Sequence, residues 1–196
     1  MGSAKIQAKQ MMRNRLREVR GSLSEVERVD CSRRIAAAFK QGFKSQWRNL
    51  ALYAAINGEV DTREIFDFCR ERGLRVYLPR CETTSRRLEF VEVDRWEDLS
   101  PGAYGVLEPN GKAANIDSLE VVLMPGVGFD YGGGRLGYGA GYYDSTFEGW
   151  QGVRIGLAYE VQVVEALPMM AHDQRVDCLI TEMGHRWVEM SQGEVS

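Results

Sequence analysis

Apolar and polar positions follow two different periods along this chain, and the change of period marks where helices and strands are expected. Residues 4–40 have helical spacing and are predicted to form two helices that pack as one layer. The second helix is expected to begin at Ser24, because Glu27 three residues later completes a capping box. A further helix is predicted over 62–72, where apolar positions recur at helical spacing until Gly73 ends them.

Strands are predicted where short apolar or alternating runs lie between polar turns. The runs expected to form buried strands cover 49–56, 74–79, 119–125, 153–159 and 177–181. Residues 88–93 alternate between apolar and polar side chains and suit a strand at or near an edge. A short helix is also expected over 142–147.

The order of these elements predicts the fold class. Strand, helix and strand follow one another over 49–79, which indicates a right-handed crossover between parallel strands. No internal repeat or long linker divides the chain, so residues 1–196 are expected to form one domain, with helices 4–40 packed on an α/β core of residues 49–190. The prediction is an α/β fold: a single compact three-layer domain whose central, mostly parallel sheet is covered by helices.

Composition and charge exclude several classes of protein. The 196 residues are 44% hydrophobic and 27% charged, with a formal net charge of -3, which argues against a general attraction to nucleic acid or to an anionic membrane. The four cysteines include no C-x-x-C pair, so free thiols in a reducing cytosol are expected. Neither a signal peptide nor an apolar run of membrane-spanning length is present in the sequence. A cytoplasmic protein is therefore expected.

The segment Gly132–Gly141 is the strongest chemical signal, because it contains six glycines in ten residues directly after a predicted strand and turn. Glycine lets consecutive amide groups point into one concavity, so the loop can hold an anion, and Arg135 adds a cation suited to phosphate. A dinucleotide-binding turn and a plain surface turn remain alternatives, while the Gly-Lys-Ser/Thr ending of a P-loop is absent from the sequence. Asp144 just beyond the loop is a candidate magnesium ligand or, alternatively, an ordinary solvated aspartate.

Several motifs together resemble the 5-formyltetrahydrofolate cyclo-ligase family, also called methenyltetrahydrofolate synthetase. The signature is Met124-Pro-Gly-Val-Gly-Phe-Asp130 followed by Gly133-x-Arg-Leu-Gly-x-Gly-x-Gly-Tyr-Tyr-Asp144. Supporting matches are Lys9-x-x-x-Arg13, Glu59-Val-Asp-Thr62, Tyr104-Gly-Val-x-Glu-Pro109 and His172-Asp173. The resemblance covers nearly the whole chain and implies one shared fold and activity.

The resemblance implies an ATP site made of two distant segments. ATP contacts carry over to Lys9, Gln10, Met11, Met12 and Arg13 in the first helix and to Arg135, Leu136, Gly137, Tyr138, Gly139, Ala140, Gly141, Tyr142 and Tyr143 in the loop. Lys9 and Arg13 lie four residues apart, hence on one face of a helix, and could reach a triphosphate together. Asp144 and Asp173 would hold Mg²⁺, the implied cofactor.

Folate contacts carry over to a second set of residues. They fall on Ala54, Glu59, Tyr104, Tyr138, Gly139, Ala140, Gly141 and Tyr142. The Glu59 carboxylate could accept paired hydrogen bonds from the amino and N–H groups of a pterin, and Tyr104 could flank the ring.

The implied activity is the ATP- and Mg²⁺-dependent cyclisation of 5-formyltetrahydrofolate to 5,10-methenyltetrahydrofolate, with Arg135 and Lys9 as the catalytic cations. The formyl oxygen would attack the γ-phosphate and N10 would then displace phosphate, so no covalent enzyme intermediate and no catalytic role for His172 or His185 is needed. The expected partners are the two small-molecule substrates, with no nucleic acid and no membrane, and the protein is expected to be a monomer.

The sequence leaves two alternative functions to be considered and gives one expectation about variants. A relative that binds folate or nucleotide without catalysis is one rival, and an RNA-binding module built on the basic helix Lys5–Arg20 is the other. Retention of every proposed ligand argues against the first, and the acidic overall charge argues against the second. Asp144→Asn and Lys9→Ala are expected to cripple turnover while leaving the melting temperature nearly unchanged.

Overall fold

The computed structural model of the protein describes residues 2–188, so residues 189 and 190 of the predicted core lie outside the described range. The helices are α1 (Gly2–Gly21), α2 (Glu25–Gly42), α3 (Arg63–Glu71) and α4 (Tyr142–Thr146). The strands are β1 (Asn49–Ala51), β2 (Arg75–Glu82), β3 (Arg87–Glu92), β4 (Ser100–Pro101), β5 (Leu107–Glu108), β6 (Val121–Met124), β7 (Gly128–Asp130), β8 (Arg135–Leu136), β9 (Val153–Leu157), β10 (Val163–Val164), β11 (Cys178–Thr181) and β12 (Gly184–Trp187).

The core of the fold is a seven-stranded sheet in the order β12-β11-β9-β6-β1-β2-β3. Strands β11, β9, β6, β1 and β2 are parallel to one another, whereas β3 and β12 are antiparallel edge strands. The predicted α/β fold with a mostly parallel central sheet is thus confirmed, as are the parallel pairing of β1 with β2 and the edge position of β3. Strand β12 was not predicted, because its side chains are mostly exposed and carry no apolar alternation.

Helices α2 and α3 cover one face of the sheet. Ile35 and Phe39 of α2 pack with Ile65 and Phe66 of α3 against apolar side chains of the parallel strands. The predicted capping box starts α2, since the Ser24 hydroxyl accepts the Glu27 amide at 3.3 Å while the Glu27 carboxylate accepts the Ser24 amide at 2.7 Å.

The opposite face is covered by α4 and a second, three-stranded sheet in the order β10-β7-β8. Phe129 of β7 and Phe147 after α4 pack there against Met124. Helices therefore cover this face only in part.

Helix α1 lies away from α2 and packs against the small sheet, so the prediction that the first two helices form one layer is wrong. Leu16 joins a separate apolar cluster with Val127 and Leu136. The other buried side chains of this helix, among the residues that the structure describes, are Lys9 and Arg20. Apolar periodicity cannot locate a buried helical face that is made largely of cations. Within residues 2–188 no helix combines the length and the apolar character needed to cross a membrane.

Candidate active site

A cavity of about 770 Å³ opens where β1 and β6 end, between α1, the segment around Tyr104 and the second half of the glycine loop. The carboxyl ends of parallel strands are where open α/β sheets collect ligands. The predicted site residues that line the cavity are Lys9, Arg13, Ala54, Glu59, Tyr104, Arg135, Leu136, Gly137, Tyr138, Gly139, Ala140, Gly141, Tyr142, Tyr143, Asp144 and Asp173. The structure therefore brings nearly all of the predicted residues together.

Three predicted ATP-binding residues do not line this cavity. Met11 is 67% exposed, Gln10 donates to Asn14 at 3.1 Å, and Met12 packs against the apolar cluster around Leu16. The reason is helical geometry: each residue turns the side chain by about 100°, so only one in three or four faces the same direction as Lys9 and Arg13.

The first half of the glycine segment is not part of the cavity. Gly132, Gly133 and Gly134 form the turn between β7 and β8, and the Asp130 carboxylate accepts the amides of Gly132 at 2.9 Å and Gly134 at 2.7 Å. A β-carbon on Gly133, whose φ is +79°, would lie 2.4 Å from the Val176 carbonyl oxygen. These glycines are required by a tight hairpin, so the prediction of one anion-binding loop from 132 to 141 was too long.

The second half, Gly137–Gly141, forms the cavity wall next to α1. Gly139 and Gly141 have φ values of +107° and +77°, a conformation that favours glycine. The Arg13 Nε donates to the Gly137 carbonyl at 2.8 Å, and the guanidinium lies against Gly139. The predicted meeting of the N-terminal helix with this loop is present in the structure.

Two ion pairs lie at the same end of the cavity. Lys9 Nζ contacts the two Asp173 oxygens at 2.6 and 2.5 Å, and Arg135 Nη2 donates to Asp144 Oδ1 at 3.0 Å. Burial opposes ionisation of the Asp173 carboxyl, but hydrogen bonds from Lys9 and the Met170 amide outweigh it, so the pKa of Asp173 lies below its ordinary value. Both side chains of the Lys9–Asp173 pair are less than 10% exposed, so we expect substitution of Lys9 to lower stability as well as turnover, a larger effect on stability than the sequence alone predicts.

The charge balance at this end suits a polyanion together with a divalent cation. Lys9, Arg13 and Arg135 supply three positive charges against the two carboxylates of Asp144 and Asp173. Asp144 Oδ1 accepts the Gln174 amide as well as Arg135, whereas Oδ2 has no hydrogen-bond partner within residues 2–188. Mg²⁺ is typically bound by one or two carboxylates together with phosphate oxygens, so this donor set fits the ion. No group of three or more His, Cys, Asp or Glu side chains in the described range is placed to hold a metal.

The other end of the cavity is largely apolar around one buried carboxylate. Glu59 is 7% exposed, and its Oε2 accepts the Ile56 amide at 3.0 Å. Burial raises the pKa of Glu59 above its ordinary value, and the Ile56 amide, the Tyr138 hydroxyl and the Arg20 charge oppose part of that rise. A carboxylate in such surroundings can select a ligand that offers paired N–H donors.

Tyr104 lies at the mouth of the cavity on the connection between β4 and β5. Its φ of +57° is unusual for a non-glycine residue. The Tyr104 hydroxyl lies 3.3 Å from that of Tyr142, and the rings meet edge to face with centroids 6.3 Å apart. This hydrogen bond is the largest cause that raises the pKa of Tyr142, to about 12. The two tyrosines close one side of the opening.

Sequence reasoning missed several residues that line the cavity or stand behind it. Ile6, Cys81, Glu108 and His172 line it, and Arg20 lies behind Tyr138. The spacing of Lys9, Arg13, Leu16 and Arg20 by four, three and four residues could have indicated Arg20, since it places all four on one helical face.

Cys81 provides a test of how closed this cavity is to solvent. Burial, with the Glu108 carboxylate next in importance, raises the pKa of the Cys81 thiol to about 11. We expect iodoacetamide to label Cys81 slowly at pH 7 and faster as the pH approaches that value, because the thiolate is the nucleophile. Mass spectrometry of the labelled peptide, with unfolded protein as the control, measures this. Equal labelling rates for folded and unfolded protein at pH 7 would contradict the expectation.

Comparisons with known proteins agree with this geometry. Residues 5–182 match the 5-formyltetrahydrofolate cyclo-ligase family. The 5-formyltetrahydrofolate cyclo-ligase of Saccharomyces cerevisiae is 33% identical over 88% of this chain and 94% of its own, and that of Haemophilus influenzae is 30% identical over 83% and 91%. The solved structure of Aquifex aeolicus 5,10-methenyltetrahydrofolate synthetase superimposes with a TM-score of 0.81 and 32% identity, covering 96% of both chains.

Proposed function

This chain belongs to the 5-formyltetrahydrofolate cyclo-ligase family, and from that premise we propose that its cavity binds 5-formyltetrahydrofolate and ATP side by side and closes the folate ring. The products are 5,10-methenyltetrahydrofolate, ADP and phosphate. The observation that best supports this function is one continuous cavity. It has three cations and a glycine loop at one end and the buried Glu59 carboxylate at the other. With the pterin of the folate at the carboxylate end and the ATP triphosphate at the cationic end, the formyl group of the folate lies between the two ends.

The cationic end binds the triphosphate. Arg135 is 5% exposed and held by Asp144 and the Pro125 carbonyl, so its charge is fixed before ATP binds. Its Nε is buried and has no acceptor within residues 2–188, although nearly all buried donors in proteins have one. Lys9 and Arg13 approach from α1, and residues Gly137–Gly141 line the wall. This arrangement neutralises charge where the γ-phosphate is transferred.

The chemistry needs alignment more than it needs a reactive side chain. The formyl oxygen forms a bond to the γ-phosphorus while the bond to ADP breaks. N10 then attacks the activated formyl carbon, the carbon–oxygen bond to phosphate breaks, and N10 loses its proton. Each step is accelerated by holding the reacting atoms together and by neutralising the phosphate charge. Lys9 and Arg135 supply the positive charge for this neutralisation.

Asp144 and Asp173 would hold Mg²⁺ beside the phosphates. Three cations against two carboxylates leave one net positive charge at this end, which is too little for a triphosphate. Bound Mg²⁺ would supply the further positive charge and polarise phosphate oxygens. The free Oδ2 of Asp144 makes this residue the first ligand, while Asp173 also keeps its contact with Lys9.

The apolar end binds the pterin. The two oxygens of Glu59 accept the amino and N–H groups of the ring, and Tyr104 and Tyr142 lie across the cavity mouth, where they flank the bound folate.

Glu59→Gln should weaken folate binding about 10- to 100-fold and leave ATP binding unchanged, because the amide keeps an acceptor for the Ile56 N–H but presents an N–H to a donor edge. Calorimetric titration with each ligand separately measures both affinities. Glu64→Gln is the matched control, since this glutamate on α3 does not line the cavity. An unchanged folate dissociation constant would remove Glu59 from the pterin contact.

One experiment tests the proposed function as a whole. The protein is mixed with 5-formyltetrahydrofolate and ATP, with and without Mg²⁺, and the absorbance of the methenyl product is followed. We expect a signal that requires both ATP and Mg²⁺. Folate binding without any product would favour the rival of a binding protein without catalytic activity.

Three further features belong to the same proposal. The protein acts as a cytoplasmic monomer on two small molecules, and its four cysteines are free thiols in the structure. No nucleic-acid partner is proposed, because the formal net charge is -3 and Lys9, Arg13 and Arg20 of the basic helix bond to other parts of the protein.

A further inference from the structure

Ile6 is a large apolar side chain at the edge of the cavity that the proposed chemistry does not use. It is 58% exposed, and it lines the cavity on the same face of α1 as Lys9 and Arg13, three and seven residues later. Isolated exposed apolar side chains are common on proteins and indicate no function by themselves. What distinguishes Ile6 is its position beside the cations that bind the triphosphate in the proposed function.

Helix α1 fixes the direction along the cavity in which Ile6 lies. Near the end of this helix, Arg20 donates to the carbonyl of Gly126, which follows β6, and the neighbouring strand β1 leads to Glu59. Nearer the start of the helix, Lys9 lies at the cationic end of the cavity. A helix rises about 1.5 Å per residue, so Ile6 lies roughly 4.5 Å beyond Lys9 along the helix axis. Ile6 is therefore farther from the Glu59 end than the cations are.

The turn before Asp173 brings two further side chains to this end of the cavity. Met170 and His172 both line it, and the His172 side chain is 72% exposed. The turn is closed twice, because the Asp173 amide donates to the Met170 carbonyl at 3.1 Å and the Met170 amide donates to Asp173 Oδ2 at 2.5 Å. Asp173 is also held by Lys9 of α1. Ile6, Met170 and His172 thus lie around one fixed contact between the helix and the turn.

The proposed reaction determines which part of ATP extends toward Ile6. The formyl oxygen attacks the γ-phosphorus, so the γ-phosphate faces the folate and the rest of the nucleotide extends away from the Glu59 end. Beyond the phosphates and the ribose, ATP ends in adenine, which is a flat ring system with two π-faces. Aliphatic, thioether and imidazole side chains all make favourable contacts with such a face through dispersion and stacking. Ile6, Met170 and His172 are side chains of these three kinds.

We propose that Ile6, Met170 and His172 hold the adenine base of ATP. This inference rests on the proposed function, because the direction of the bound triphosphate places the base. Affinity for the base comes from the area of contact with the ring faces, whereas Lys9 and Arg13 bind the phosphates. Ile6 is then a nucleotide-binding residue that does not touch the reacting atoms.

Binding of ATP and of inorganic tripolyphosphate separates contacts with the base from contacts with the phosphates. Each ligand is titrated calorimetrically into the folate-free protein in excess Mg²⁺, and each variant is compared with the wild type. Ile6→Ala removes the side chain beyond Cβ and should raise the dissociation constant for ATP about fivefold. Its dissociation constant for tripolyphosphate should stay within about twofold of the wild type, because tripolyphosphate has no base.

His172→Ala tests the turn in the same way. Loss of stacking on the imidazole ring should raise the dissociation constant for ATP about fivefold and leave that for tripolyphosphate within about twofold. In turnover, KM for ATP should rise in both variants, and KM for the folate should not. The side chains of Ile6 and His172 are both largely exposed, so neither substitution removes core packing.

Val26→Ala is the matched control. Val26 is a β-branched apolar residue on α2 that is 79% exposed and does not line the cavity. We expect both of its dissociation constants to stay within about twofold of the wild type.

The outcomes separate the base site from the proposed function. An unchanged dissociation constant for ATP in Ile6→Ala or in His172→Ala would overturn the base site and leave the function standing. Equal losses for ATP and tripolyphosphate would also overturn it, because the defect would then lie at the phosphates. A wild-type protein that binds neither ligand and forms no methenyl product would overturn the proposed function, and the base site with it.

Discussion

Lys9→Met should lower ATP-dependent turnover about 10²- to 10³-fold, because it removes a cation that faces the transferred phosphate. It should also lower stability, since Asp173 is left without the Lys9 ammonium that contacts both of its oxygens at 2.6 and 2.5 Å. The pair is buried but lines an open cavity, so we expect a loss of about 2 kcal/mol, between the values for exposed and enclosed pairs. In a protein of this size that corresponds to a fall in melting temperature of about 4 to 8 °C.

Steady-state kinetics and thermal unfolding measure the two effects of Lys9→Met separately. Lys5→Met is the matched control, because Lys5 lies one turn earlier on α1, with its ammonium 3.3 Å from the Met169 carbonyl in an exposed position. It should change neither turnover nor stability appreciably. Wild-type kcat in Lys9→Met would remove Lys9 from the catalytic machinery, and an unchanged melting temperature would mean that water replaces the ion pair at no cost.

Asp144→Asn should lower turnover about 10³-fold with a smaller effect on the fold. The amide oxygen can still accept from Arg135 Nη2 and from the Gln174 amide, both at 3.0 Å, so the hydrogen bonds that hold this corner remain. The lost counter-charge of Arg135 should lower stability by about 1 kcal/mol, since the Asp144 side chain is partly exposed. The Mg²⁺ concentration for half-maximal activity should rise.

Magnesium titrations of wild type and variant check this expectation, with folate binding measured in parallel. Glu148→Gln serves as the control, because Glu148 is an exposed carboxylate shortly after α4 that does not line the cavity. Folate affinity should be unaffected in both variants. If Asp144→Asn kept the magnesium dependence of the wild type, Asp144 would not be a metal ligand.

The fold was predictable wherever a single requirement, such as helix capping or burial of a strand, determined the residues of a segment. The Ser24–Glu27 capping box fixed the start of α2, and Gly73 with a φ of +69° ended the turn after α3. Continuous apolar runs identified the parallel strands because both faces of the central sheet are buried. The residues of the family motif line one cavity for a similar reason, since the motif spans the loop and α4 without a gap.

Prediction failed where the residues of a segment are determined by contacts with distant parts of the chain. The glycines of 132–141 serve a hairpin closed by Asp130 in the first half and a cavity wall in the second, and composition alone cannot divide them. Helix α1 buries Lys9 and Arg20, which a search for apolar positions assigns to solvent. The exposed edge strand β12 has no apolar pattern to find. In each case the missing information was tertiary contact rather than local propensity.

The contact between Lys9 and Asp173 joins residues 164 positions apart, and this separation has a consequence for the order of assembly. During synthesis, α1 leaves the ribosome first, yet the buried Lys9 has no ion-pair partner until Asp173, in the last quarter of the chain, has emerged. Loop closure over such a distance is slow compared with local helix formation. We therefore expect nascent chains that end before residue 170 to have secondary structure but no ATP binding, so that nucleotide binding reports completion of the fold.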